Sequence, residues 1–203
     1  MEIYAEYTEK EIAIFVGLMD LIKGGANPYT IKVSDIAKAA NIGKGTIYDY
    51  FSTKEEVISK AILYFINNEI EAAFLRIKSI NNFKEKFYEI LFIMVNSLEN
   101  NLSPLNILIS AGGIKEFYEH ITDEKHDMRK CLEIINEIIK DLIETGHKEG
   151  KITTKESMFY QTMAVRGVIA GFSHYLNRKK YYNDISLEEA MGTAYKLLIK
   201  SLD

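Results

Sequence analysis

Cysteine is nearly absent, with Cys131 alone among 203 residues. One thiol excludes a disulfide framework and a zinc site built from cysteines, and it suits a reducing cytoplasm. Proline occurs only at Pro28 and Pro104, and strand-like alternation is missing over long stretches, so the chain reads as all-α without repeats or low-complexity segments. No apolar run reaches the ~20 residues that cross a bilayer. The first residues, Met-Glu-Ile-Tyr-Ala-Glu-Tyr, hold no basic segment of the kind that opens a secretory signal, so no membrane partner is expected. Catalytic signatures are missing too: no Gly-x-Gly-x-x-Gly, Walker loop, His-Glu-x-x-His or Gly-x-Ser-x-Gly occurs. Of the four histidines, His120, His126, His147 and His174, only the first two are near each other, and a spacing of six does not stack on one helix face. Glu133 and Glu137 are four apart, but without a Glu-x-x-His partner they read as a solvated face. The expectation is a protein with no metal, no cofactor and no enzymatic activity.

What is present supports a folded molecule. Hydrophobic residues make up 47% and charged residues 27%, enough for a full core in one large domain or two small ones. The net charge of −4 does not advertise nucleic-acid binding, yet phosphate contact is local and needs only a small basic face. Residues 30–54 supply one, with Lys32, Lys38, Lys44 and Lys54 against Asp35 and Asp49.

The most informative stretch is residues 33–54. Ile36, Ala37 and Ala40 mark one face of a short helix. Asn41-Ile42-Gly43 then interrupts it, with Asn41 suited to a left-handed turn and Gly43 to the next N-cap. Ile47 and Phe51, four apart, bury one face of a second short helix and leave Lys44, Thr46, Tyr48, Asp49 and Tyr50 outside. This is the pattern of a helix–turn–helix whose second helix enters the major groove. Ahead of it, residues 8–24 form a helix with a Thr8–Glu11 capping box. Ile12, Phe15, Val16, Met19 and Ile22 or Lys23 lie on one face, and Gly24-Gly25 closes the helix. The cap of the second helix is open between Thr30 and Ser34. Ser52 with Glu55 is expected to cap a fourth, long helix reaching about Ile77. Further helices are expected at 82–100, 104–111, 114–121, 124–148, 154–178 and 186–202.

Ile36-Ala37, Lys44-Gly45-Thr46-Ile47-Tyr48, Tyr50-Phe51 and Thr53-Lys54-Glu55-Glu56 together resemble the DNA-binding segment of the TetR family of bacterial transcriptional regulators. The resemblance covers about the first quarter of the chain. It implies an all-α protein with a three-helix DNA-binding head at residues 1–51. A larger helical domain for ligand binding and dimerisation would occupy residues 52–203. The matching positions imply DNA contacts by Lys44, Gly45, Thr46, Tyr48, Tyr50 and Lys54. Lys54 starts a helix whose free N–H groups suit a phosphate. Asp49 departs from the basic residues usual nearby; it repels phosphate but can accept from a cytosine N4, or it simply faces solvent. The acidic N-terminus, with Glu2, Glu6, Glu9 and Glu11 around Lys10, departs as well.

The resemblance further implies an effector site among the C-terminal helices. Candidates are Phe65, Phe92, Asn96, Ser110, Phe117, Cys131, Tyr160, Met163 and Arg166, although aromatics at helical spacing are more often core. A buried Arg166 would need a carboxylate partner. The last two helices would form a dimer interface through Gly167, Ala170, Gly171, His174, Ala194, Leu197 and Leu198. The expected protein is a cytoplasmic, homodimeric regulator, with repression as the default mode. Its partners are a near-palindromic double-stranded DNA operator and a small hydrophobic or amphipathic effector. The alternative is a helical ligand- or partner-binding adaptor with a weak or non-functional DNA head.

Overall fold

The computed structural model describes residues 7–28, 30–99 and 129–203. Ser110 and Phe117, and the helices expected at 104–111 and 114–121, lie outside the described residues. Among those described, the chain is helical throughout: α1 (Glu9–Lys23), α2 (Val33–Ala39), α3 (Lys44–Tyr50), α4 (Lys54–Ser79), α5 (Phe83–Glu99), α6 (Arg129–Lys148), α7 (Met158–Asn177) and α8 (Leu187–Ser201), with a 3-10 turn at Lys179–Tyr181. They fall in two compact units. One lies within Met1–Glu69 and the other is built from Ile70–Glu99 and Cys131–Asp203.

Helix ends follow local chemistry. At α1 the Thr8 hydroxyl accepts from the Glu11 N–H, and the Glu11 carboxylate accepts from the Thr8 N–H at 2.8 Å. Gly24 ends the helix, and Gly25 follows at φ +93°, a conformation open to glycine. Two expected caps are corrected. Neither Thr30 nor Ser34 caps α2: Thr30 Oγ1 donates to the Asn27 carbonyl, while Lys32 is the N-cap and its N–H is satisfied by the Asp35 carboxylate. Likewise α4 is capped by Thr53, one residue later than Ser52. The Thr53 hydroxyl accepts from the Glu56 N–H, and Glu56 reaches back to the Ser52 N–H at 2.7 Å. The physical requirement is the same in both positions, so only geometry chooses between adjacent hydroxyls. The helix expected from 154 begins at Met158, because Ser157 caps it.

In the first unit Phe15, fully buried, joins the elements. Its ring lies 5.6 Å from Phe51 at the end of α3, 5.6 Å from Tyr64 on α4 and 4.7 Å from Tyr7. Ile14, Leu18, Met19 and Ile22 complete the buried face of α1, whereas Val16, expected on that face, is exposed. Partial burial raises the Glu69 carboxyl above its ordinary value, against the attraction of Lys23.

The second unit packs α5 through α8 around Phe83, Phe87, Leu91, Leu142, Ile143, Val165, Leu198 and Leu202. Connections far apart in sequence fix it. The Glu149 carboxylate accepts from the Phe83 N–H at the start of α5, and the Thr153 and Thr154 N–H groups both donate to the Leu202 carbonyl. Lys86 is buried and paired with Asp141. Exposed Arg76 pairs with Glu89. Burial, reinforced by Glu149 and Tyr88, pushes the Tyr195 phenol above its ordinary value.

Candidate nucleic-acid interface

The site is built on a tight turn, residues 40–43, between two helices of seven residues each. At the end of α2 the Ile42 N–H donates to the Ala37 carbonyl and the Asn41 N–H to the Lys38 carbonyl. This is a Schellman closure with Asn41 at φ +54°. Asparagine tolerates that left-handed conformation where β-branched residues do not. The chain then extends at Gly43, whose carbonyl accepts the Thr46 N–H and starts α3.

Seven residues make a marginal helix on their own, so tertiary anchoring decides the position of α3. Ile47 and Phe51 supply the anchor, each 1% exposed. Lys44, Gly45, Tyr48 and Asp49 face solvent, and Thr46 and Tyr50 are half-buried. A Cβ built on Gly45 would meet nothing within 4 Å. Lys32 and Lys38 are exposed on α2, and Lys54 opens α4 with its ammonium 3.8 Å from the Glu55 carboxylate. A surface pair of this kind is worth little and competes weakly with a phosphate. All seven residues expected at DNA thus belong to one short segment with a buried and an open side.

Gly17 is the positioning residue that sequence reasoning missed. A Cβ there would lie 2.8 Å from the Ala40 nitrogen and 2.9 Å from the Ala39 carbonyl carbon. These are backbone atoms at the end of α2, so α1 and α2 touch main chain to main chain. The available signal was a glycine inside an otherwise apolar helical face.

The expected effector residues are dispersed. Phe65 belongs to the first unit, where Lys23 sits 6.0 Å above its ring. Cys131 is buried, whereas Phe92, Asn96, Tyr160 and Met163 are exposed. Arg166 is not buried: it is exposed and donates to Asn136 Oδ1 at 2.6 Å, so it needs no carboxylate. The buried polar group on α7 is instead Gln161, and it is satisfied. Its Nε2 donates to the Glu156 carbonyl, and its Oε1 meets His147 Nε2 at 2.8 Å.

The expected interface residues divide. Gly167, Ala170, Gly171 and His174 are exposed on α7, and Leu197 is exposed on α8. Ala194 and Leu198 are 5% and 0% exposed and belong to the core of the second unit. Period alone could not separate the two faces of α8, because both carry apolar residues. Tyr160 and Met163, read as effector contacts, share the exposed side of α7 with the glycines.

Residues 27–61 match the family model described as bacterial regulatory proteins, tetR family. No curated protein matches the chain. Among solved structures, the fatty acid degradation regulator FadR of Bacillus halodurans is similar over 97% of this chain and 96% of its own, at 16% identity and a TM-score of 0.59. A TetR transcription regulator of Haloarcula marismortui is similar over 97% and 98%, at 15% identity and a TM-score of 0.61. FadR of Bacillus subtilis, solved in complex with stearoyl-CoA, is similar over 95% and 97%, at 18% identity and a TM-score of 0.54. At such identities the likeness is one of fold.

Proposed function

We infer that this chain is a DNA-binding transcriptional regulator of the TetR type, since residues 27–61 match that family's model and the fold is shared along nearly the whole chain, and that it acts as a cytoplasmic, homodimeric, ligand-responsive repressor. The observation that carries this reading is the division of α3: Ile47 and Phe51 hold it, and Lys44, Gly45, Tyr48 and Asp49 are left to a partner. In the proposed complex α3 lies in the major groove. Lys44, Thr46, Tyr48 and Tyr50 meet phosphates or base edges, Lys54 meets a phosphate, and Asp49 biases the sequence choice. Two heads about 34–36 Å apart would read a near-palindromic operator. Residues 1–51 form the head in this proposal, and residues 52–203 bind the effector and dimerise. An effector that binds the DNA-incompetent state more tightly releases the operator, to the extent of its differential affinity.

The test is fluorescence anisotropy of labelled DNA from upstream of the gene, against shuffled DNA, across a salt series. Selective binding with a steep salt dependence is expected. Lys54→Ala should weaken binding to all sequences about tenfold and lower the salt slope by roughly one per head. An unchanged slope would remove Lys54 from the phosphate contacts. No binding at low salt would favour the adaptor reading, which the acidic N-terminus and the exposed Asp49 motivate.

The effector proposed is hydrophobic or amphipathic. Long-chain acyl-CoA is the first class to titrate, since stearoyl-CoA occupies the Bacillus subtilis neighbour. Loss of anisotropy with stearoyl-CoA but not with free coenzyme A is the expected result. Equal response to both, or to neither, would set that class aside.

A further inference from the structure

Arg178-Lys179-Lys180 is the only run of three adjacent cations in the sequence. It falls in the connection between α7 and α8, where every residue from Asn177 to Ser186 is exposed. The connection is nonetheless a built one. The Arg178 N–H donates to the His174 and Tyr175 carbonyls, the Tyr181 N–H to the Arg178 carbonyl and the Tyr182 N–H to the Lys179 carbonyl. Tyr175 reaches out of the core to fix the far side. Its hydroxyl donates to the Ile185 carbonyl at 3.0 Å, and its ring lies 5.7 Å from that of Tyr182. The fold thus holds three like charges together, although adjacent cations repel. Among the described residues neither Arg178 nor Lys180 forms an ion pair. Asp184 is the one acid of the connection, and Glu188 and Glu189 belong to the first turn of α8, where the free N–H groups of the helix favour them.

We propose that this turn is a second, sequence-independent contact for duplex DNA, with Arg178, Lys179 and Lys180 on the phosphate backbone. The proposal rests on the DNA-binding reading and adds a contact outside residues 1–54. A single small anion needs one or two such side chains. Three in succession match a linear polyanion, which releases counterions as each phosphate is neutralised. An anionic bilayer fits less well. Binding at a bilayer surface joins a buried apolar face to the charge, and here the rings are engaged within the chain: Tyr182 lies against Tyr175, and the Lys180 ammonium sits 5.0 Å over the Tyr181 ring. Contacts carried by one chain multiply, so weak phosphate contacts beside a specific head raise affinity without altering sequence choice.

The full chain tests this by anisotropy of upstream and shuffled duplexes across a salt series. The double variant Lys179→Gln, Lys180→Gln should lose about tenfold in affinity for both DNAs at equal selectivity, with the salt slope lower by roughly two per chain. Lys179→Arg, Lys180→Arg should keep the wild-type slope, a pattern that follows charge and that a role in holding the turn would not produce. Lys180→Cys carrying a benzophenone should photo-cross-link to the duplex. The same probe at Lys151→Cys, an exposed site separated from the turn by the length of α7, should not, and wild-type Cys131 is buried. An unchanged slope in the glutamine variant, or equal cross-linking at both sites, would overturn the proposal while selective binding by the wild type leaves the regulator reading standing. Binding of the wild type to phosphatidylserine vesicles, lost in the glutamine variant whose DNA slope is unchanged, would assign the turn to a lipid surface instead. No wild-type binding to either duplex at low salt would overturn both readings.

Discussion

Asp141→Ala is expected to remove about 3–5 kcal/mol of unfolding free energy, whereas Lys86→Met removes no more than about 1.5 kcal/mol. The two residues form one ion pair, yet their surroundings differ. The Lys86 side chain is 3% exposed and that of Asp141 is 34% exposed. Removing the carboxylate leaves a buried ammonium with its counter-charge gone. Removing the ammonium leaves a carboxylate that water already reaches. Methionine also fills much of the volume of lysine and packs with the apolar residues of α5 and α6. The combined Lys86→Met, Asp141→Ala variant should therefore be more stable than Asp141→Ala alone. Urea unfolding of the three variants measures this; equal losses from the two single changes would mean that Lys86 is hydrated in solution.

Gly17→Val should cost about 3 kcal/mol and lower operator affinity by more than about tenfold in the protein that remains folded. The first branch atom alone comes within 2.8 Å of the Ala40 nitrogen, and backbone at a helix end has no rotamer with which to retreat. The displacement falls on α2 at the Asn41 turn, so it is passed directly to α3. Gly45→Ala is the contrasting case. Its methyl enters open space, and alanine gains up to about 1 kcal/mol over glycine inside a helix. Stability should hold or rise there. Circular dichroism melts separate the two substitutions, and anisotropy against the operator reads the effect on recognition. A Gly17→Val protein with wild-type stability and wild-type operator affinity would show that α1 and α2 can separate freely.

The head was largely legible in sequence because its signals are local. Asn41, Gly43, Ile47 and Phe51 each act within a few residues, through a turn, a cap or a four-residue spacing. The Thr8–Glu11 box is of the same kind. Legibility falls where the choice depends on a distant partner. Ser52 and Thr53 are equally able to cap, and only the path of α4 selects Thr53. Both sides of α8 are apolar, so the burial of Ala194 and Leu198 and the exposure of Leu197 follow from where α5 and α7 lie. The contact of Gly17 with Ala40 joins two helices whose approach no periodicity encodes. Lys86 looked like any surface lysine until Asp141, 55 residues away, stood opposite it. The expected effector residues suffer most from this limit, since a cavity is defined by all its walls and by no single stretch of chain.

The anchoring of α3 has a consequence for how such a protein changes over generations. Two side chains, Ile47 and Phe51, hold the helix, and the fold asks little of Lys44, Tyr48 or Asp49. Substitutions at those outward positions leave the core untouched and so pass without a stability threshold to cross. With α3 placed in the major groove as proposed, binding preference would drift one base at a time while the scaffold stays fixed. A duplicated copy of the gene could acquire a new target sequence through three codons and keep everything that makes the protein fold.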